Sequence, residues 1–296
     1  MGSNMPAADV EVTSELVRAL LTSQHLDLAD LPLIEFANGW DNVMFRLGDD
    51  LTVRVPRREM AGQLVANEII ALRTIGSALP ITVPQPLRVG QPSERYPCTW
   101  VVYPWIDGTT VGHRDLVDPA ADARRLGEFF VALHVAAPDE APENPFRGHF
   151  IGDNDERFRV NVESIRDRLQ AAVDGGVARV LDRWTTLIDV APHAGPAVWI
   201  HGDLHALNVL QRDGRLHAIV DWGDVTSGDP AGDLAICWTL FDADARAILR
   251  ELVGADDALW QRAEAWALYF CVMYLGFSAD NAAMDAVGVR LVERLL

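Results

Sequence analysis

The chain has 296 residues, and its 49% hydrophobic content supplies a real core and excludes a mostly disordered protein. Its 25 Lys and Arg against 43 Asp and Glu give a formal charge of −18, which excludes unspecific attraction to nucleic-acid phosphate or to an anionic membrane. Cys98, Cys237 and Cys271 are odd in number, widely spaced and without C-x-x-C grouping, so they read as small core residues and not as a disulfide framework or zinc site. No apolar run approaches the about 20 residues that span a bilayer, and the start carries no basic region followed by a hydrophobic one, so a cytoplasmic location is expected.

Residues 12 to 22 place Val12, Leu16, Val17, Leu20 and Leu21 at helical spacing, with Thr13 and Ser14 available as caps. After the loop ANGWDN, Val43 to Leu47 and Leu51 to Val55 flank Gly48-Asp49-Asp50 and read as a β-hairpin. The period then changes: Leu64, Ile69, Leu72 and Ile75 suit one face of a helix over residues 60 to 79. PLRVGQPSERYPCTWVVYPWI gives a further strand pair around a Gly/Pro/Ser turn. Asp107-Gly108 ends it, and Leu116 to Val135 and Phe158 to Val190 are mainly helical in pattern, separated by a Pro-, Asn- and Gly-rich loop over 138 to 153. Val198 to Ile200 is a short strand, HGDLHALNVL a loop, and Val209 to Gln211 with Leu216 to Val220 a hairpin turning at Asp213-Gly214. From Asp229 the pattern is helical to the end.

His201-Gly202-Asp203 with Asn208 five residues after the Asp has the spacing H-x-D-x-x-x-x-N of a phosphoryl-transfer loop, and Asp221-Trp222-Gly223 follows thirteen residues after Asn208. The chemistry needs these residue types. Mg²⁺ takes hard oxygen ligands, which the amide of Asn208 and the carboxylate of Asp221 offer. A separate carboxylate, Asp203, can orient a hydroxyl and accept its proton as a phosphoryl group moves. The bland alternative, Asx side chains hydrogen-bonded to their own loop, serves for either residue alone but not for the whole set in its strand, loop and hairpin context. His201 reads as a brace for the loop, because Asp203 already supplies the base.

These pieces, with ANGWDN, LTVRVPRRE, NEIIALR, VVYPWIDG and IVDWGDVTSGDPAGDLA, resemble the aminoglycoside phosphotransferase family, which includes macrolide phosphotransferases and has a protein-kinase-like fold. The match runs from residue 37 to 235. It implies an α+β, two-lobed molecule: residues 1–106 a nucleotide-binding lobe of small antiparallel sheet with one long helix, and 107–296 a helical lobe with catalytic loop and acceptor site. The resemblance makes Asp203 the catalytic base and Asn208 and Asp221 the Mg²⁺ ligands, and sets residues 37 to 42 over the nucleotide phosphates, with Asn38, Gly39 and Asn42 able to approach closely or turn sharply. Arg54 stands where kinases generally use a Lys that contacts phosphates and pairs with a helix Glu, here Glu68. A guanidinium can make both contacts, although an outward Arg on an alternating strand is otherwise simply solvated, and Arg57 and Arg58 lie nearby. VVYPWI becomes the hinge, with Tyr103, Trp105 and Ile106 beside the base.

The reaction so implied is transfer of the γ-phosphate of ATP or GTP to a hydroxyl of an antibiotic, an aminoglycoside-type or macrolide sugar. The alternatives are a kinase of a small metabolite, an amino alcohol or sugar, and a nucleotide-binding pseudoenzyme. Partners are then a nucleoside triphosphate and a small hydroxyl acceptor, with no nucleic acid or membrane and a monomer or dimer as the assembly. For a polycationic acceptor the carboxylates after Asp221, among them Asp224, Asp229 and Asp233, would serve. Asp229 and Asp233 equally suit a helix cap. For an apolar macrolide ring the aromatic residues of the last third, Trp238 and Phe277 among them, would form a cleft, although their mixed helical spacings suit a core.

Overall fold

A computed structural model describes residues 6–113, 116–278 and 281–296. In chain order the elements are α1 (Ser14–Gln24), β1 (Leu33–Asn38), β2 (Asn42–Leu47), β3 (Leu51–Pro56), α2 (Glu59–Ile75), β4 (Arg88–Gly90), β5 (Trp100–Pro104), β6 (Thr109–Thr110), α3 (Pro119–Leu133), α4 (Asp155–Ser164), α5 (Arg166–Ala172) and α6 (Gly176–Ile188). There follow β7 (Val198–Ile200), β8 (Val209–Arg212), β9 (Arg215–Ile219), β10 (Thr226–Gly228), α7 (Ala231–Leu234), α8 (Ile236–Leu240), α9 (Ala243–Val253), α10 (Asp257–Phe277) and α11 (Ala282–Leu295). The class is α+β, an antiparallel sheet region followed by a mostly helical remainder. Among the described residues no helix is long and apolar enough to cross a membrane.

The chain forms two compact units. The first comprises Met1–Ala78, Val83–Asp107 and Trp222–Val225, and the second Leu79–Thr82, Gly108–Asp221 and Thr226–Leu296. This division places Leu79–Thr82, Asp107 and Trp222–Val225 otherwise than a single cut between 106 and 107 would.

In the first unit an antiparallel sheet runs β1-β2-β3-β5-β4. Thr13 caps α1 by accepting from the Leu16 amide, and the α1 face of Val17, Leu20 and Leu21 packs on Val43, Phe45, Leu47, Val53, Val55, Trp100 and Val102. Strand β1 is a strand that the sequence pattern did not announce. It is an edge, and all but one of its side chains are exposed, so it lacks the half-buried alternation that betrays a strand. As a result Ala37 and Asn38 end β1, Asn42 opens β2, and only Gly39 to Asp41 of ANGWDN form the turn.

In the second unit β8 and β9 form the expected hairpin, with Asp213 and Gly214 both left-handed in its turn and β6 on its outer edge. The long pattern of residues 158 to 190 is three helices. Gly175 and Gly176, at φ 84° and 58°, break it in a conformation that favours glycine. Strand β10, also unannounced, pairs antiparallel with β7 from Thr226↔Ile200 to Gly228↔Val198. Its Thr-Ser-Gly sequence has no intrinsic strand pattern and takes its form from that partner. Helix α10 is buried through Ala263, Ala267 and Cys271 and packs against α11, α7 and α6.

Candidate active site

The loop between β7 and β8 is shaped by a residue 31 positions beyond Gly202. Asp233, 1% exposed, accepts the amides of His201 at 2.8 Å and Gly202 at 3.0 Å, and His134 Nε2 lies 3.3 Å from the same carboxylate. A charged acceptor thus satisfies two main-chain donors that the loop cannot satisfy itself. Gly202 sits at φ 85°, which allows the chain to turn sharply before Asp203. His201 is fully buried. Its Nδ1 accepts from the Asp203 amide at 3.3 Å and its Nε2 meets the Val220 carbonyl at 3.1 Å, so it ties the loop to the end of β9.

Asp203 keeps one third of its side chain exposed. Arg147 Nη2 is 3.1 Å from its Oδ1, and His205 Nε2 is 3.5 Å from its Oδ2. Burial by itself would raise this carboxyl, but the His205 contact and the positive fields of His205, Arg147 and His201 oppose it and hold the group well below the usual carboxylate range. The group is therefore an ionised acceptor at neutral pH. Asn208, 7% exposed, donates from Nδ2 to the Asp203 carbonyl at 2.9 Å, and its own carbonyl accepts from Val220 N at 2.9 Å. Val209 pairs with Ile219, so Asn208 falls opposite Val220, one residue before Asp221, at the open end of the β8–β9 hairpin. Asp221 is left-handed at φ 63°, a conformation that costs a non-glycine residue about 1–2 kcal/mol and that Asp tolerates better than most.

This end of the hairpin fits Mg²⁺. With its NH₂ engaged on the Asp203 carbonyl, the Asn208 amide offers its oxygen, and Asp221 adds an exposed carboxylate. One amide and one carboxylate oxygen match an ion that retains waters and shares phosphate oxygens. Among the described residues no group of three or more His, Cys, Asp and Glu is assembled for a metal, so a full protein cage is not what these residues build.

In the first unit Arg54 is not solvated. It is 7% exposed, and Nη1 bonds Glu68 Oε2 at 2.7 Å, with Glu68 fully buried on α2. With its amide oriented to accept, Asn42 takes Arg54 Nε and Nη2 at 3.2 and 3.0 Å. Arg57 and Arg58 are assigned elsewhere: Arg57 Nη1 donates to the Gly39 carbonyl at 3.3 Å and Arg58 Nη1 to Asp41 at 2.8 Å, so both latch the turn between β1 and β2. Asn38, exposed, lies 3.5 Å from Glu35. Tyr103 is buried on β5 opposite Thr52. Trp105 donates to Asp107 at 2.6 Å, packs edge-on to Phe36 and carries the Arg46 guanidinium 3.7 Å above its ring, with half-buried Ile106 following.

The residues named for the acceptor occupy different settings. Trp238 is 3% exposed and is helix core, against Trp260 at 4.8 Å, with its carbonyl accepting from Arg294; this burial removes it from any cleft wall. Phe277 is half-exposed at the end of α10, and half-buried Asp224 belongs to the first unit. Asp229 is ion-paired with buried Arg262 at 2.7 Å and accepts from Ala231 N, and Asp233 is the anchor described above, so neither serves a polycation. Asp233 carried a helix-cap or acceptor reading in sequence, and Arg147 carried none. The signal that could have found Asp233 is its apolar setting, Gly-Asp-Leu-Ala-Ile, where a carboxylate is buried only with partners.

A family model described as a phosphotransferase enzyme family matches residues 32–266. The viomycin phosphotransferase of Streptomyces vinaceus is 28% identical over 236 residues, 74% of this chain and 78% of that protein. Among solved structures, a GDP complex of aminoglycoside 2'-phosphotransferase-IIIa superposes with a TM-score of 0.66 at 20% identity, over 95% of this chain and 98% of that one. The macrolide 2'-phosphotransferase of Brachybacterium faecium gives a TM-score of 0.62 at 21% identity, over 94% and 97%. Likeness of this kind shows the kinase-like fold, and the family model, matching most of the chain, shows membership: the chain belongs to the phosphotransferase enzyme family.

Proposed function

We propose that the enzyme transfers the γ-phosphate of ATP or GTP to a hydroxyl of an antibiotic, of aminoglycoside or macrolide type. The observation that carries this reading is the Asp203 carboxylate, ionised, partly exposed and held by Arg147 and His205 on a loop that ends at Asn208, opposite the residue before Asp221. Asp203 orients the acceptor hydroxyl and takes its proton as the acceptor oxygen bonds to phosphorus and the bond to the β-phosphate oxygen breaks, releasing the nucleoside diphosphate. Asn208 and Asp221 would hold Mg²⁺, which when bound would neutralise charge on the transferring phosphate. Arg54, oriented by Glu68 and Asn42, would contact the α- and β-phosphates, and the turn at Gly39 would cover them. Support for the substrate class comes from the viomycin, aminoglycoside and macrolide phosphotransferases that the chain is similar to. The engagement of Asp229 and Asp233 elsewhere favours an acceptor that is not recognised through those two carboxylates.

The test is phosphate transfer from ATP and, separately, GTP to viomycin, kanamycin, gentamicin, streptomycin, erythromycin and simple amino alcohols, with Asp203→Ala as control. The variant should lose about 10²–10⁴ in turnover while still binding nucleotide, the scale for removing a positioned base. Near-normal turnover by Asp203→Ala would overturn the assignment, and turnover on amino alcohols alone would replace the antibiotic by a metabolite.

A further inference from the structure

We propose that Arg147 is a positioning residue of the phosphoryl transfer: it fixes the Asp203 carboxylate by one oxygen, so that the acceptor hydroxyl meets the other in a set orientation. The inference deepens the reading of Asp203 as the base and rests on it.

A surface arginine near a carboxylate is ordinarily worth little, because a long flexible side chain loses entropy on pairing. The backbone that carries Arg147 is different. Asn144 N donates to Thr226 Oγ1 at 3.1 Å, and Thr226 Oγ1, 2% exposed with its residue, donates to the Pro142 carbonyl at 2.7 Å. Phe146 N bonds Asn144 Oδ1 at 2.9 Å, Arg147 N bonds the Asn144 carbonyl at 3.2 Å, and Asp229 N bonds the Gly148 carbonyl at 3.0 Å. Gly148 then turns left-handed at φ 72°, and a Cβ there would fall 2.8 Å from the Ser227 carbonyl oxygen. The segment from Pro142 to Gly148 is thereby bound along β10, whose other edge pairs with β7, the strand that leads into the catalytic loop. The arginine is delivered from a fixed base.

What it does follows from the geometry. Oδ1 of Asp203 is met by Arg147 and Oδ2 by His205 at the longer 3.5 Å, so the carboxylate plane is set from both sides and the weaker contact is the one an acceptor hydroxyl can share. A carboxylate that must stand close to a triphosphate is also repelled by it, and a guanidinium on its far oxygen offsets that repulsion without supplying a proton acceptor of its own. Loss of Arg147 should leave the base present but wrongly aimed, a fault that appears in kcat and not in nucleotide affinity.

The experiment uses the full chain with Mg²⁺ and GTP or ATP, and reads transfer to the antibiotics named above, or to water as the acceptor where none is taken. Arg147→Ala should lower kcat about 10- to 100-fold with the nucleotide KM within about two-fold. Millimolar guanidinium, far below denaturing levels, should restore part of the loss in Arg147→Ala, an effect that a merely structural contact would not show. Arg147→Ala in the Asp203→Ala background should add no further loss, since the arginine acts through that carboxylate. Arg147→Met, which keeps the apolar stem, should behave like Arg147→Ala and guards against a folding defect. Unchanged kcat, additive losses, or a defect that guanidinium cannot relieve in either variant would each overturn the proposal. Near-normal turnover by Asp203→Ala alone would instead remove the base reading, and the two failures are thus distinguishable.

Discussion

The side-chain amide of Asn208 donates across 2.9 Å to the main-chain carbonyl of Asp203, five residues earlier in the loop. One residue so closes the loop with its nitrogen and, in the proposed reading, would offer its oxygen to the cation. Replacing Asn208 by Ala removes both. It should cost about 0.5–1.5 kcal/mol of stability for the lost hydrogen bond, read by urea unfolding. It should also raise the Mg²⁺ concentration for half-maximal turnover about 10- to 100-fold, the usual range for a weakened metal site. An unaltered Mg²⁺ dependence would remove Asn208 from the ligand set.

Arg54 and Glu68 form a buried pair, 8% and 1% exposed at their side chains. Breaking such a pair strands a charge away from water, so Glu68→Ala should destabilise by about 3–5 kcal/mol. The double variant Arg54→Met with Glu68→Leu should recover most of that loss, because apolar residues of like volume replace buried ions at little cost. It should nevertheless bind nucleotide poorly, as the Arg54 cation proposed for the phosphates is gone. Calorimetric unfolding alongside nucleotide titration separates the two effects, and full nucleotide affinity in the double variant would show that Arg54 is only structural.

The three cysteines give a pH signature. Cys98, Cys237 and Cys271 are buried at 4%, 0% and 1% exposure, and burial raises each thiol, Cys271 to about 12, with the Tyr96 contact opposing the rise at Cys98. A group whose folded pKa is raised holds its proton longer in the native state than in the unfolded chain, where thiols titrate near about 8.5. The stabilisation is therefore complete below that value and is lost as pH climbs from it toward the folded pKa. Unfolding midpoints should fall as pH rises from 8.5 towards 11, less so in a variant with Cys237 and Cys271 replaced by Ala. A thiol reagent at pH 8 should label the native protein negligibly and all three sites after denaturation.

How much of this was legible in the sequence depended on whether a residue's role was local. The loop from His201 to Asn208 could be placed because its polar residues stand at a fixed spacing between two apolar strands, and the hairpin at Asp213-Gly214 because its turn needs residues that tolerate a left-handed backbone. The pairing of Arg54 with Glu68 followed from the family resemblance, and the burial of β3 on both faces explains why the arginine is not solvated. Arg147 and Asp233 reach the loop from 56 and 31 residues away, and no periodicity encodes an encounter of that kind. Strands β1 and β10 were hidden for a related reason: an exposed edge and a Thr-Ser-Gly triplet owe their extended form to a partner strand and not to their own pattern.

Asp233 gives the clearest separation of scaffold from chemistry. Its carboxylate accepts the His201 and Gly202 amides and meets His134, and it touches neither Asp203 nor Asn208 through any of these bonds. Hydrogen bonds to a buried charged acceptor are worth about 1.5–3 kcal/mol each, so Asp233→Ala, which takes the acceptor from one buried and one half-buried main-chain donor, should destabilise by more than about 3 kcal/mol. Asp233→Asn keeps one acceptor oxygen and should lose roughly half as much. Turnover at a temperature where both variants remain folded should drop with the same ranking, because Gly202 and Asp203 are no longer held in register with β9 through His201. If Asp233→Ala lowered turnover while leaving the urea midpoint unchanged, Asp233 would be acting on the reaction directly and the scaffold role would fail.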